Sequence, residues 1–200
     1  MSATDKPGKK DGPVERPSSD RASRVKNSGG RTAPAAGRLG ETDPSGQETF
    51  PVVGIGASAG GLDAFKKFLS AIPTDSGMGF VLIQHLDPAH RSLTAELLAK
   101  DTTMKVAEVK DQMPVEVNRV YVIPPNKYLA IRDGILHLSA PITDRGMRMP
   151  IDFFFRSLAE SQNEKAIGII LTGTGSDGTF GLNAIKGHGG LALAQTSDPA

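Results

Sequence analysis

Three short segments of this chain carry residue types that could act together on a carbonyl carbon. Gly54-Ile55-Gly56-Ala57-Ser58-Ala59-Gly60-Gly61 fits G-x-S-x-G, a pattern that raises a serine hydroxyl above a strand-to-helix corner. Such a serine matters only where the chain also supplies a base and an acid to orient that base. Gln84-His85-Leu86-Asp87-Pro88 offers an imidazole, and Thr172-Gly173-Thr174-Gly175-Ser176-Asp177-Gly178 offers a carboxylate. Ser58 would attack, His85 would take and return the proton, and Asp177 would hold the imidazole tautomer. Backbone N–H groups freed by the glycines around Ser58 suit an oxyanion hole.

Each residue alone has a plainer reading. A single G-x-S-x-G arises often by chance between strand and helix. His85 alone reads as a hydrogen-bonded rim histidine, and Asp177 alone as the N-cap of the helix opening at Gly178-Thr179. What shifts the balance is position. Each of the three lies just past an apolar, strand-like run, and in an open α/β sheet the C-terminal strand ends share one edge.

The elements that would place them follow from periodicity. Val52–Ile55, Gly79–Ile83 and Ala166–Leu171 are unbroken apolar runs, expected as buried parallel strands. Leu62, Phe65, Leu69 and Ile72 recur at helical spacing until Pro73. Ser92 could cap a helix through about Lys100, and Pro150 could open one through about Ser161 with Phe153, Phe154 and Leu158 along one flank. Leu182 and Ile185 face inward from a further helix ended by Gly189-Gly190. Between these lie Val106–Val109, Val120–Ile123, Tyr128–Arg132 and Ile135–Leu138, short and β-rich, with the hairpin signal Asp133-Gly134. The expected fold is α/β, a doubly wound, mostly parallel sheet with an antiparallel β excursion in the middle.

Residues 1–48 are rich in Pro, Gly, Ser and charge and hold no aromatic residue, so they read as a disordered polar leader. Residues 49–200 form the domain, long enough for a real core. Leu191–Ala194 is its last strand and no closing element follows, so the domain is expected to be truncated at its C-terminal end. A net charge of +1 gives no case for nucleic acid. The absence of cysteine excludes disulfides and Cys-ligated zinc. With no apolar run near the ~20 residues a bilayer crossing needs, and no signal-peptide core, the expectation is a cytoplasmic protein without membrane insertion.

Other candidates fare worse. His85, Asp87 and His90 have ligand types at close spacing, but no second cluster completes a metal site. His137 reads as a solvent-side strand residue and His188 as a helix C-terminal one. Arg145, Arg148 and Arg156 could line a substrate groove, although a solvated face is the plainer account. Gly54–Ala59 also fits the permissive dinucleotide pattern G-x-G-x-x-A, yet Gln84-His85 stands where the ribose-binding acid belongs.

Taken in order, Gly56-Ala57-Ser58-Ala59-Gly60-Gly61, Gln84-His85 and Thr172–Gly178 resemble the CheB-type protein-glutamate methylesterase catalytic domain. The resemblance runs from about Phe50 onward and takes in Val120-Tyr121-Val122-Ile123-Pro124-Pro125 and Pro150-Ile151-Asp152-Phe153-Phe154. It implies hydrolysis of glutamyl methyl esters on chemoreceptor cytoplasmic helices, with deamidation of glutamines in some members. It also implies a triad at Ser58, His85 and Asp177, no metal or organic cofactor, and a doubly wound α/β fold. Ala59 and Thr174 depart from the threonine and methionine common in the family. No receiver domain fits in residues 1–48. The resemblance suggests a larger signalling protein, of the hybrid kind in which this domain precedes a receptor methyltransferase and sensor modules. Two alternatives stay open: a catalytically silent receptor-binding module, and a nucleotide-binding Rossmann-like domain.

Overall fold

Side chains along a strand point alternately to its two faces, so a strand apolar at every position needs cover on both. The computed structural model of the chain describes residues 41–42, 48–57, 61–84, 93–141, 148–171 and 175–196. All of them belong to the unit Leu39–Ala200. In chain order the elements begin with β1 (Glu41–Thr42), β2 (Glu48–Thr49), β3 (Val52–Ala57), α1 (Gly61–Ala71), β4 (Gly79–Gln84) and α2 (Thr94–Leu98). The middle supplies β5 (Lys105–Glu108), β6 (Met113–Pro114), β7 (Arg119–Val122), β8 (Tyr128–Arg132) and β9 (Ile135–Ser139). Then come α3 (Pro150–Gln162), β10 (Ala166–Ile170), α4 (Thr179–Gly187) and β11 (Leu191–Ala194).

Six strands form one sheet in the order β11-β10-β3-β4-β7-β5, and every neighbouring pair is parallel. Alternation splits the core in two. Val53, Ile55, Phe80, Leu82, Val120 and Val122 pack with Phe65 and Leu69 of α1 and Leu98 of α2. Val52, Val81, Ile83 and Tyr121 face the other way, onto Phe154, Phe155 and Leu158 of α3. The antiparallel strands β6, β9 and β8 form a second sheet, and its Leu129, Ile131 and Leu136 extend that core.

Glycine sets how closely α3 lies on the sheet. A Cβ on Gly54 would stand 2.9 Å from Phe155, and one on Gly56 would stand 2.5 Å from Ile151. Helix α4 meets α3 by the same device, since a Cβ on Gly181 would come within 2.4 Å of Phe155 Cβ. The helix over 150–162 therefore presses directly onto the backbone of the central strand.

The antiparallel excursion is smaller than the residue pattern suggests. Val106–Val109 and Val120–Ile123 supply β5 and β7, parallel members of the main sheet. Residues 120–123 are buried, and such strands belong in a sheet interior. Only β6, β8 and β9 run antiparallel in the second sheet. The hairpin at Asp133-Gly134 forms as expected, with φ values of 49° and 73° that match a two-residue turn of the type favoured between strands. Helix α2 is shorter than expected, because its end tightens into bonds from Lys100 N to Leu97 O and from Asp101 N to Leu98 O. On α3 the buried flank uses Phe155 rather than Phe153, whose ring instead meets Tyr128 edge-on at 4.9 Å. Glu41–Thr42, inside the expected leader, pairs with β2, and the rest of residues 1–47 lies outside the described residues.

Tyr121 ties the main sheet to the excursion. Its hydroxyl donates to the Pro114 carbonyl at 3.0 Å and accepts from the Glu116 N–H at 2.9 Å. Burial raises its pKa above 10.0. The neutral phenol is thus the folded form, and its contribution is complete below the unfolded value of about 10 and lost as pH rises through the raised folded one. Tyr121→Phe removes both bonds at a cost of about 1–2 kcal/mol, read as a lower urea midpoint at neutral pH. The difference between the two proteins shrinks as pH rises above 10.

Candidate functional site

Strand register decides which loops meet. Ala57 pairs with Gln84, Gly56 with Ile170, and the Leu171 N–H donates to the Gly56 carbonyl at 3.0 Å. The chain therefore leaves β10, β3 and β4 at one level, from three adjacent strands. Adjacent strands stand about 4.8 Å apart, so the three exits lie within side-chain reach of one another. Ser58 is the residue after Ala57, His85 the residue after Gln84, and Asp177 follows the β10 exit by a short loop. Ser58 and His85 themselves, like residues 172–174, lie outside the described residues, as do Arg145, Asp87 and His90.

Asp177 is described, and its surroundings explain its place. Helix α3 starts with Pro150, and Met149 before it provides no side-chain cap. The first N–H groups of a helix need acceptors, and a carboxylate there also meets the positive end of the helix dipole. Asp177 fills that role from a distant loop. Its Oδ2 accepts from the Ile151 N–H at 3.0 Å and its Oδ1 from the Asp152 N–H at 2.8 Å. The plainer expectation, that Asp177 caps the following helix, does not hold: Gly178 occupies that cap position, and the carboxylate serves α3. Gly178 is required there, because its φ is 102° and a Cβ would stand 2.4 Å from Ile170.

A second carboxylate, which the residue pattern alone did not single out as functional, completes the join. Asp152 is 2% exposed and its Oδ1 accepts from the Gly181 N–H at 2.6 Å. The two helix starts are thus stitched reciprocally: Asp177, just before α4, holds α3, and Asp152, on α3, holds α4. Asp152 Oδ2 is buried with no hydrogen-bond partner among the described residues. The sequence signal for this residue was an acid inside Pro-Ile-Asp-Phe-Phe-Phe, at a position where the buried face of α3 passes.

Beside this edge opens a small pocket of about 50 Å³. Gln84, Pro124, Asn126, Tyr128, Arg148 and Pro150 line it. The Tyr128 hydroxyl accepts from the Met149 N–H at 3.3 Å, and the Arg148 guanidinium donates to Asn126 Oδ1 at 2.8 Å. The Gln84 amide reaches under the start of α1, where a Cβ on Gly61 would stand 3.2 Å from its Nε2. Arg148 and Arg156 are both exposed, and Arg148 also lines the pocket. His188 ends α4 with Nδ1 3.3 Å from Asn163 Oδ1, and His137 sits on β9 opposite Ala130. Among the described residues no group of three or more His, Cys, Asp or Glu could hold a metal ion.

Asp177→Ala should leave two helix-start N–H groups without this acceptor, at a cost of about 1–3 kcal/mol in chemical denaturation. Asp177→Asn keeps one acceptor oxygen and should cost less. Equal stability of parent and Asp177→Ala would show that the carboxylate does not hold α3.

Comparison with known proteins places the chain in a family. Residues 53–200 match the family model described as CheB methylesterase. A Leptospira interrogans protein bearing the name protein-glutamate methylesterase/protein-glutamine glutaminase is 36% identical over 147 residues, 73% of this chain and 76% of that protein. The protein-glutamate methylesterase FrzG of Myxococcus xanthus is 33% identical over 166 residues, 82% of this chain and 48% of its own length. A methylesterase/glutaminase of Pseudomonas fluorescens is 33% identical over 152 residues, and the chain spans 45% of it. The crystal structure of the Thermotoga maritima CheB methylesterase catalytic domain superposes with a TM-score of 0.68 at 28% identity, covering 75% of this chain and 82% of that one. With a family match over residues 53–200 and the same fold as a solved catalytic domain, this chain belongs to the CheB methylesterase family.

Proposed function

We propose that this domain is a protein-glutamate methylesterase of chemotaxis signalling that uses Ser58 as nucleophile, His85 as general base and acid, and Asp177 as the acid that orients His85. The observation that carries the assignment is the shared level of the three strand exits, with the Asp177 carboxylate fixed by two backbone N–H groups beside them. The substrate class is the glutamyl methyl ester of methylated chemoreceptors, the type of protein on which the family acts.

The chemistry balances without an added reagent. Ser58 Oγ attacks the ester carbonyl carbon while His85 takes the hydroxyl proton. The carbonyl oxygen becomes an oxyanion, which backbone N–H groups at the β3–α1 turn are suited to receive. The intermediate collapses, the bond to the methoxy oxygen breaks, and His85 returns the proton so that methanol leaves. Water then attacks the acyl-serine, again losing a proton to His85, and the glutamate carboxyl departs as Ser58 is restored. A glutamine amide follows the same course with ammonia as leaving group. Asp177 suits its part because its carboxylate is held by the start of α3. An acid already anchored can hold an imidazole without first losing conformational entropy.

No helix among the described residues is long and apolar enough to cross a membrane. A cytoplasmic setting beside receptor cytoplasmic helices suits that reading.

Methanol release from methyl-esterified receptor cytoplasmic fragments tests the assignment. The parent should release methanol, and Ser58→Ala should lower the rate by at least about 10³-fold with little change in thermal midpoint. Undiminished release from a folded Ser58→Ala protein would remove Ser58 from the mechanism. Receptor binding without release from the parent would favour a silent binding module.

A further inference from the structure

The pocket beside the candidate site carries positive charge. Its two charged lining residues are Lys127 and Arg148, both cations, and no acidic residue lines it among those described. A methyl ester and its methanol product are neutral, and the glutamate product carries a carboxylate. The oxyanion that forms in between calls for donors at the Ser58 turn. The cations at this pocket are exposed and open to an anionic group of a substrate.

Arg148 is placed rather than merely present. Its Nη1 donates to Asn126 Oδ1 at 2.8 Å. Asn126 follows Pro124-Pro125 and adopts a φ of 56°, so a rigid, left-handed turn presents its amide. Arg148 is two residues before Pro150, where α3 begins, and Tyr128 holds the intervening Met149 through its N–H. A guanidinium has five N–H donors, and the bond to Asn126 uses one of them. The pocket floor includes Gln84, whose successor in the chain is the candidate base His85. Arg148 and the end of β4, the strand that leads to His85, thus line one pocket.

We infer that Arg148, held by Asn126, is a specificity-determining residue that binds a carboxylate of the protein substrate close to the scissile ester. The inference rests on the methylesterase reading for the identity of the substrate. On a protein substrate the complementary anion is an aspartate or glutamate side chain. On a helical substrate, residues three or four apart share a face at about 5–6 Å, so the carboxylate sits one turn from the ester. A guanidinium–carboxylate pair is directional and charge-assisted, and it discriminates against an isosteric amide.

The test uses two labelled helical peptides, each with one glutamyl methyl ester, differing only in glutamate or glutamine one turn away. Binding is measured by fluorescence anisotropy in the non-hydrolysing Ser58→Ala background, and turnover by methanol release with Ser58 present. The glutamate peptide should bind about 10-fold more tightly than the glutamine peptide at moderate salt, and the preference should shrink as salt rises. Arg148→Gln should abolish the preference, Arg148→Lys should restore part of it, and Asn126→Ala should weaken it. In turnover the loss should fall on KM rather than on kcat. Equal binding of the two peptides, undetectable binding of both, or a preference that survives Arg148→Gln overturns the inference. Discrimination without methanol release from the parent would support this binding role and overturn the esterase reading. Methanol release without discrimination would do the reverse.

Discussion

The carboxylate of Asp177, bound to the first two free N–H groups of α3, is the constraint on which the candidate site depends. Helix α3 begins without a cap of its own. It is also the helix whose Phe154, Phe155 and Leu158 form the core over the central strand. Fixing its start from the loop after β10 joins a packing element to a chemical one. Any shift of α3 on the sheet moves Asp177, and any change at Asp177 loosens α3. Asp152 extends the same join to α4 through Gly181, so Asp177 and the two helix starts are tied together. A carboxylate at this point also meets the positive end of the α3 dipole.

The sheet supplies the other half of the geometry. Parallel pairing in matched register brings the ends of β10, β3 and β4 to one level, and a parallel sheet gathers its exits on a single edge. Glycines at 54 and 56 let α3 settle against β3, which draws the start of α3 toward that edge. The pocket with Arg148 and Tyr128 forms where the antiparallel excursion returns to the same place. Fold and site thus share their causes: strand alternation fills the two cores, and the missing side chains of β3 set the height of the helix that carries the anchor.

Much of this was legible in the residues. Unbroken apolar runs marked β3, β4 and β10 because strands buried on both faces leave no polar position. Pro150 marked the start of α3 and Asp133-Gly134 marked the hairpin, since each reflects a local backbone preference. Membership of the excursion was less legible. β5 and β7 are short, and nothing local says which distant strand a short apolar run will join. The role of Asp177 toward α3 was hidden for the same reason: its partners lie more than twenty residues away in sequence. Asp152 was hidden by its neighbours, an acid within an aromatic run whose burial only the helix packing decides. Arg148 read more plainly as a solvated charge, and it is exposed, but its bond to Asn126 could not be read from the sequence.

The central claim is that the anchored Asp177 carboxylate orients the imidazole of His85. Proton NMR of the folded protein labelled with ¹⁵N-histidine addresses it directly. The account predicts a low-field proton resonance attached to His85 Nδ1, absent from His85→Ala and lost or strongly shifted in Asp177→Asn. A His85 Nδ1 proton absent from the folded parent, or unmoved by Asp177→Asn in a protein whose helix α3 remains in place, would contradict it.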